Sequence, residues 1–256
     1  MVRFVVDNED CGADSCVAEM IAPSERVTVV RDTRIGSLMH QKFAIADGDL
    51  VWLGSTNFTE QSFCGDHNNS IVLEQAEIVT ALQGEFDRMA GGDFSPVAEE
   101  DGGGVGGGIY TLYFSPVSPQ SQAGPWFGAM RAAIDTATTS IDVMTNAWTR
   151  SEIANDLLNA EDRGVVVRVV VSHTYAGNLP AQILAMEGAN IREDGVHDKV
   201  MIIDGDTVIT GSANWSMAAW SNNENQLWIA DGGVAAVYTA EFESVYAGAT
   251  PVLYEE

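Results

Sequence analysis

Apolar and polar positions along this chain fall into short blocks whose order is repeated once. Val2-Arg3-Phe4-Val5-Val6 and Val167-Arg168-Val169-Val170-Val171 are apolar runs with the length and β-branched content of a strand buried on both faces. Farther along each copy, Phe43 to Ile45 and Val200 to Ile203 read as strands. Each is followed by an Asp-Gly turn signal, Asp47-Gly48 and Asp204-Gly205, and by a returning strand, Leu50 to Leu53 and Thr207 to Thr210. Both copies close on an amphipathic helix. Ile78, Leu82, Phe86 and Met89 line one face in the first, and Val234, Val237, Tyr238, Phe242 and Val245 in the second. Ala90-Gly91 and Ala247-Gly248 end them, since glycine readily terminates a helix.

Glu99 to Gly108 is the plainest linker, acidic and then almost all glycine, with nothing to anchor a core. It divides the chain into a first repeat at 1–98, a linker at 99–108 and a second repeat at 109–256. The second repeat opens with a strand at Ile109 to Phe114, a helix near Trp126 to Ala137 and a strand around Ile141 to Met144. A further helix from about Ser151 carries Ile153, Ala154, Leu157 and Leu158 on one face. The first repeat starts directly at the Val2 strand, so two strands and two helices are expected to be missing from it. The fold class expected is α/β, two related sheet-and-helix units of which the N-terminal one is incomplete at its N-terminus.

The chain has two lysines, and both lie in matching motifs. His40-x-Lys42, four residues, Asp47, six residues and Gly54-Ser55-Thr56-Asn57 form the first. His197-x-Lys199, Asp204 and Gly211-Ser212-Ala213-Asn214 form the second, with every spacing the same. Side chains two apart on a strand face the same way, so His40 and Lys42 share a site, as do His197 and Lys199. A buried histidine is commonly just a hydrogen-bonded core residue, and His173 reads that way. Such a reading leaves Lys42, Lys199 and the paired Gly-Ser-x-Asn unexplained. Trp52, Trp215, Trp220 and Trp228 read as core or pocket wall.

Two His-x-Lys-x4-Asp motifs with downstream Gly-Ser-x-Asn resemble the phospholipase D superfamily, in particular its small bacterial branch of phospholipase-like enzymes and nucleases. The resemblance implies two halves facing each other across a pseudo-two-fold axis, with no metal or other cofactor. It implies a phosphodiester hydrolase in which His40 is the nucleophile, forming a phosphohistidine, and His197 the general acid. Lys42, Lys199, Asn57 and Asn214 would donate to the phosphoryl oxygens. Glu224, ten residues after Asn214, falls where the family carries an acid that orients the histidine of the other half. Ten residues after Asn57 stands His67, a departure from that pattern, with Asp66 beside it as the candidate orienting acid. Asp47 and Asp204 are expected to brace their strands, with Ser55 and Ser212 in support.

Charge bears on the substrate. Net charge is −25, with 12 basic residues against 37 acidic ones, which repels nucleic acid and anionic membranes at long range. A phospholipid head group or similar small diester is therefore the leading substrate class, with possible exchange to an acceptor alcohol. A nuclease of the same superfamily is the alternative, supported only by the cluster Arg26, Arg31 and Arg34. A truncated, non-catalytic remnant is the third reading, and a homodimer could cover the open edge of the first repeat. Cys11 and Cys16 are spaced for a small loop disulfide, and no run reaches membrane-spanning length. Cytoplasmic and exported locations both stay open.

Overall fold

The computed structural model describes residues 1–8, 24–98, 103–118 and 124–254. Cys11, Cys16 and the acidic start of the linker, 99–102, lie outside the described residues; Cys64 is an exposed free thiol.

In the first half β1 (Val2–Val6) and β2 (Val27–Arg31) pair in parallel as a two-stranded sheet. A separate antiparallel sheet holds β3 (Phe43–Ala46), β4 (Leu50–Gly54) and β5 (Ser70–Leu73), with the short helix α1 (Glu60–Cys64) between β4 and β5. Helix α2 (Ala76–Ala90) closes the half. A minor pair joins β6 (Val97–Ala98) to β8 (Val117–Ser118) across the halves.

The second half builds one eight-stranded mixed sheet. Its elements are β7 (Tyr110–Ser115), α3 (Pro125–Thr136), β9 (Ser140–Thr145), α4 (Ser151–Asp162), β10 (Val166–Ser172) and α5 (Leu179–Met186). Then follow β11 (Asn190–Asp194), β12 (Lys199–Ile203), β13 (Thr207–Gly211), β14 (Glu224–Ala230), α6 (Gly232–Gly248) and β15 (Thr250–Pro251). The strand order is β15-β11-β10-β9-β12-β13-β14-β7, with β9, β10 and β11 mutually parallel. Local chemistry sets the turns. Asp47 and Asp204 both have φ of 54°, followed by Gly48 at 79° and Gly205 at 68°, the left-handed conformation that aspartate tolerates and glycine adopts freely. Asp231 caps α6 by accepting from the N–H groups of Gly233 and Val234.

Two cores follow from the alternation of side chains. One face of the large sheet, with Val167, Val169, Met201, Ile203 and Ile209, packs on α3, α4 and α5. The other face, with Val200, Ile202, Val208 and Leu227, shares a core with α2, α6 and the inner face of β4 and β5. The halves are thus joined through a common apolar layer.

Several expectations are corrected. β1 is exposed to half-buried because it pairs with β2 alone among the described residues, whereas β10 is flanked by β9 and β11 and mostly buried. Val237 is 70% exposed; it lies about 100° round α6 from Tyr238, and Ala235 takes the inward position. The described part of the linker is not free of structure. Val105 exchanges backbone hydrogen bonds with Leu112 at 2.8 and 2.6 Å, and a Cβ on Gly106 would meet the Tyr110 carbonyl oxygen at 2.3 Å. His173 is exposed beside Glu193, not in the core.

Asp204 braces β9 rather than its own strand. Its carboxylate accepts from the N–H groups of Thr138, Thr139 and Ser140 and from both threonine hydroxyls, at 2.7–3.1 Å. Burial pushes this carboxyl up, but those hydrogen bonds outweigh it and hold the group well below the usual carboxylate range. The stabilisation is therefore complete above the unfolded value near 3.9 and is lost as pH falls toward the lower folded value. Asp204→Ala is expected to lower the melting temperature at pH 7, and the gap to the parent should narrow progressively below about pH 4. A gap unchanged down to pH 2 would contradict this role.

Candidate active site

Both motifs are assembled by bonds that cross between the halves. The N–H of His40 donates to the Asn223 carbonyl at 3.0 Å, and the N–H of His197 donates to the His67 carbonyl at 2.8 Å. Met39 and Asn223 form a parallel bridge, as do Val196 and His67. Each histidine therefore enters its strand while hydrogen-bonded to the lead-in of the other half's strand.

The glycines of Gly-Ser-x-Asn allow the closest approach within each half. A Cβ on Gly54 would lie 2.1 Å from the Asn69 carbonyl oxygen, and one on Gly211, whose φ is 133°, would lie 2.5 Å from that of Asn225. The serines that follow use this proximity. Ser212 Oγ donates to Glu224 at 2.6 Å, and Ser55 Oγ donates to Asn68 Oδ1 at 2.8 Å. These two acceptors in turn hold the histidines: His40 Nδ1 is 2.8 Å from both Glu224 oxygens, and His197 Nδ1 is 2.8 Å from Asn68 Oδ1. The Asn68 amide nitrogen donates to the Ser62 carbonyl at 3.0 Å, which turns its oxygen toward His197. His197 must then carry its proton on Nδ1 and present Nε2 to the site.

Asn68 corrects the expectation for Asp66, whose carboxylate accepts from Gln61 at the surface and does not touch His197. The segment carrying α1 is one residue longer than its counterpart, so the position equivalent to Glu224 is eleven residues after Asn57. Matching Ile71-Val72-Leu73 to Leu227-Trp228-Ile229, rather than counting from the asparagine, would have found it.

The two lysines are buried beside the rings. Lys42 Nζ donates to the His40 carbonyl; Lys199 Nζ donates to the His197 carbonyl at 2.6 Å and lies 3.4 Å from its Nε2. Asn57 and Asn214 are half-buried, and Asn214 Oδ1 is a buried acceptor with no hydrogen-bond partner. The residues between each histidine and lysine face the opposite way and join the halves. Gln41 accepts from Asn225 at 3.3 Å and donates to Glu85, while Asp198 accepts from Asn69 at 2.6 Å. Asp47 and Asp204 sit at the far ends of β3 and β12, about 17 Å from the lysines by strand rise, and Asp47 makes no side-chain hydrogen bond among the described residues. Arg34 grips Asp32 with three bonds and also donates to the Ser221 and Leu38 carbonyls and to Asn223, so it is not a free phosphate ligand.

The electrostatics are those of a desolvated cationic site. Burial lowers His40, opposed by Glu224 and assisted by Lys42 and Lys199. Burial, then Lys199, Lys42 and His40, bring His197 down to about 3. Lys199 falls to about 7 through burial and the charge of Lys42. Burial pushes Glu224 up, but His40, Lys42 and Ser212 outweigh it and keep the carboxyl low. Behind the site, burial raises Asp198 to about 6. Both imidazoles are thus pushed toward the neutral form, one backed by a carboxylate and the other by an amide. No group of three or more His, Cys, Asp or Glu side chains among the described residues is placed to hold a metal.

Two half-sites of one pattern, joined across a shared core, define the phospholipase D type of fold. The family described as "Cardiolipin synthase, PLD-like domain" matches residues 8–90 and 130–246, more than half of the sequence, and the chain belongs to it, within the phospholipase D superfamily. Among curated relatives, the mitochondrial cardiolipin hydrolase of Xenopus tropicalis is 31% identical over 126 residues, 46% of this chain and 60% of that protein. The phospholipase D of Rickettsia conorii is 35% identical over 112 residues, 41% of this chain and 56% of that protein. The chain therefore spans about 60% or less of the length of these two relatives. The phosphatidylserine synthase of Haemophilus influenzae shares the fold, with a TM-score of 0.69 over 99% of this chain and 75% of that one at 12% identity.

Replacing the amide behind His197 by a carboxylate should restore the missing counter-charge. Asn68→Asp is expected to raise the His197 pKa by about one to three pH units, read from its ring-proton NMR titration. No change would mean that Asn68 does not face the ring.

Proposed function

We propose that this chain hydrolyses phosphodiesters in the manner of phospholipase D, acting on phospholipid head groups or diesters of similar size through a covalent phosphohistidine. The observation that carries this reading is the reciprocal pair of histidines, each tied at Nδ1 by the opposite half and each followed two residues on by a buried lysine that donates to its carbonyl. The two relatives, a cardiolipin hydrolase and a phospholipase D, agree with a phospholipid diester. The net charge of −25 and the commitment of Arg34 to Asp32 weigh against a nucleic-acid polyanion.

The asymmetry of the orienting groups distributes the roles. Attack by His40 Nε2 on phosphorus leaves positive charge on the ring, which the Glu224 carboxylate at Nδ1 neutralises. Asn68 offers His197 no such charge, so this ring, once protonated, is the stronger acid. The arriving phosphodiester anion offsets the charges of Lys42 and Lys199 and allows His197 to take up a proton on Nε2. The P–N bond to His40 forms as the P–O bond to the leaving alcohol breaks, and His197 gives that alcohol its proton. In the second step water gives a proton to His197 Nε2 and attacks phosphorus, and the P–N bond breaks to release a phosphomonoester. An acceptor alcohol in place of water gives head-group exchange. Lys42, Lys199, Asn57 and Asn214 donate to the non-bridging oxygens, and loss of one such donor costs on the order of a hundredfold or more.

The test uses two diesters, one with a p-nitrophenyl and one with an alkyl leaving group. His40→Ala is expected to lose turnover of both by about 10²–10⁴-fold or more. His197→Ala should release one equivalent of nitrophenol and stop, because that leaving group needs no proton but the second step needs a base. A burst from His40→Ala and none from His197→Ala would reverse the roles. An unmutated chain inactive on every diester offered would remove the enzymatic reading.

A further inference from the structure

The first half carries the walls of a strand site. In the second half β9 lies between β10 and β12, parallel to one and antiparallel to the other. Two side chains clamp it: Arg168 forms a bidentate pair with Asp142 at 2.7 and 2.8 Å, and Asp204 accepts from the three N–H groups leading into the strand. Arg168 is itself placed by α6, with its guanidinium 4.8 Å above the Phe242 ring and 2.8 Å from Glu243.

Every one of these positions except β9 recurs around α2. Arg3 on β1 lies 4.8 Å above the Phe86 ring and 2.7 Å from Asp87, and Phe43 on β3 packs against the same ring at 6.3 Å. β1 and β3 thus hold the places of β10 and β12, yet among the described residues they share no sheet. Among the described residues no strand lies between them, and a strand paired with both would need β1 and β3 about 10 Å apart, twice the spacing of paired strands. Asp47 has the left-handed backbone of Asp204 and makes no side-chain hydrogen bond among the described residues.

The outer face of the small sheet agrees. Ala44, Ala46, Trp52 and Val72 correspond in register to Met201, Ile203, Ile209 and Trp228, which pack into the core formed with α3 and α4. Here Val72 is 55% exposed, and Trp52 stacks with Phe63 and meets Phe58 edge-on, these two rings being 58% and 62% exposed. An exposed apolar face beside two strand edges that are unpaired among the described residues marks a docking surface.

We propose that the slot between β1 and β3 binds a helix–strand–helix polypeptide segment of the type formed by Pro125 to Asp162. Its strand adds parallel to β1 and antiparallel to β3, with an aspartate facing Arg3 and its leading N–H groups on Asp47. Its first helix covers Trp52 and Val72, as α3 covers the corresponding face of the second half. This holds whether or not the phosphodiesterase reading does.

The probe is a synthetic peptide with the sequence of residues 125–162, titrated into the full chain with fluorescence anisotropy and amide hydrogen exchange as readouts. Saturable 1:1 binding is expected, with new protection in β1 and β3. Asp142→Lys in the peptide should weaken binding at least tenfold, and Arg3→Asp in the chain should restore binding of that altered peptide. Absence of saturable binding would overturn the proposal, as would binding indifferent to Asp142→Lys or protection confined to β10 and β12. A concentration-dependent dimer that buries Trp52 and excludes the peptide would assign the face to a second copy instead.

Discussion

The reciprocal hydrogen bonding of the two halves is the constraint from which the rest follows. Neither histidine is oriented by its own half: Glu224 holds His40 and Asn68 holds His197. The backbone repeats the exchange through Asn223 and His67, and the buried faces repeat it through Gln41 with Asn225 and Asp198 with Asn69. These bonds are buried or half-buried, where an unpaired partner would be costly. Pairing the halves and positioning the rings are therefore one event. The glycines of Gly-Ser-x-Asn make it sterically feasible, since a methyl group at either would meet a carbonyl oxygen.

Burial then determines the chemistry of the site. Lys42 and Lys199 lie close enough to lower both histidines, Lys42 lowers Lys199 as well, and the Glu224 carboxylate lies at hydrogen-bond distance from His40. Their combined charge is what an incoming phosphodiester anion would satisfy. The network behind the rings is less symmetric than the motifs suggest. Asn69 also receives Thr210 and Tyr238, tying Asp198 to α6, whereas Gln41 reaches α2 through Glu85 and Arg88.

Much of this was legible in the sequence because it depends on local spacing. The strands around each Asp-Gly turn, the two terminal helices and the convergence of His40, Lys42, His197 and Lys199 follow from short periodic patterns. What escaped depends on register. One extra residue near α1 moved the orienting position from His67, beside which Asp66 was the candidate acid, to Asn68, which counting along a loop cannot detect. β1 read as buried because its residues are apolar, but burial belongs to neighbours and only β2 pairs with it among the described residues. The inward turn of Ala235 in place of Val237 likewise reflects which arc of α6 meets the sheet, the one that carries Ala235, Tyr238, Phe242 and Val245. The role of Asp204 was legible as bracing, but its partner, 66 residues away in sequence, was not.

The central claim is that the difference between a carboxylate and an amide, each reaching across from the other half, decides which histidine carries the phosphoryl group. Rapid acid- or base-quench during turnover, followed by peptide mapping of the phosphohistidine, reads this directly in the parent chain and in the exchanged variant Glu224→Gln/Asn68→Asp. Label on His40 in the parent that moves to His197 in the exchanged variant is the expected result. Label that stays on His40 after the exchange, or no phosphohistidine in either protein, would contradict the account.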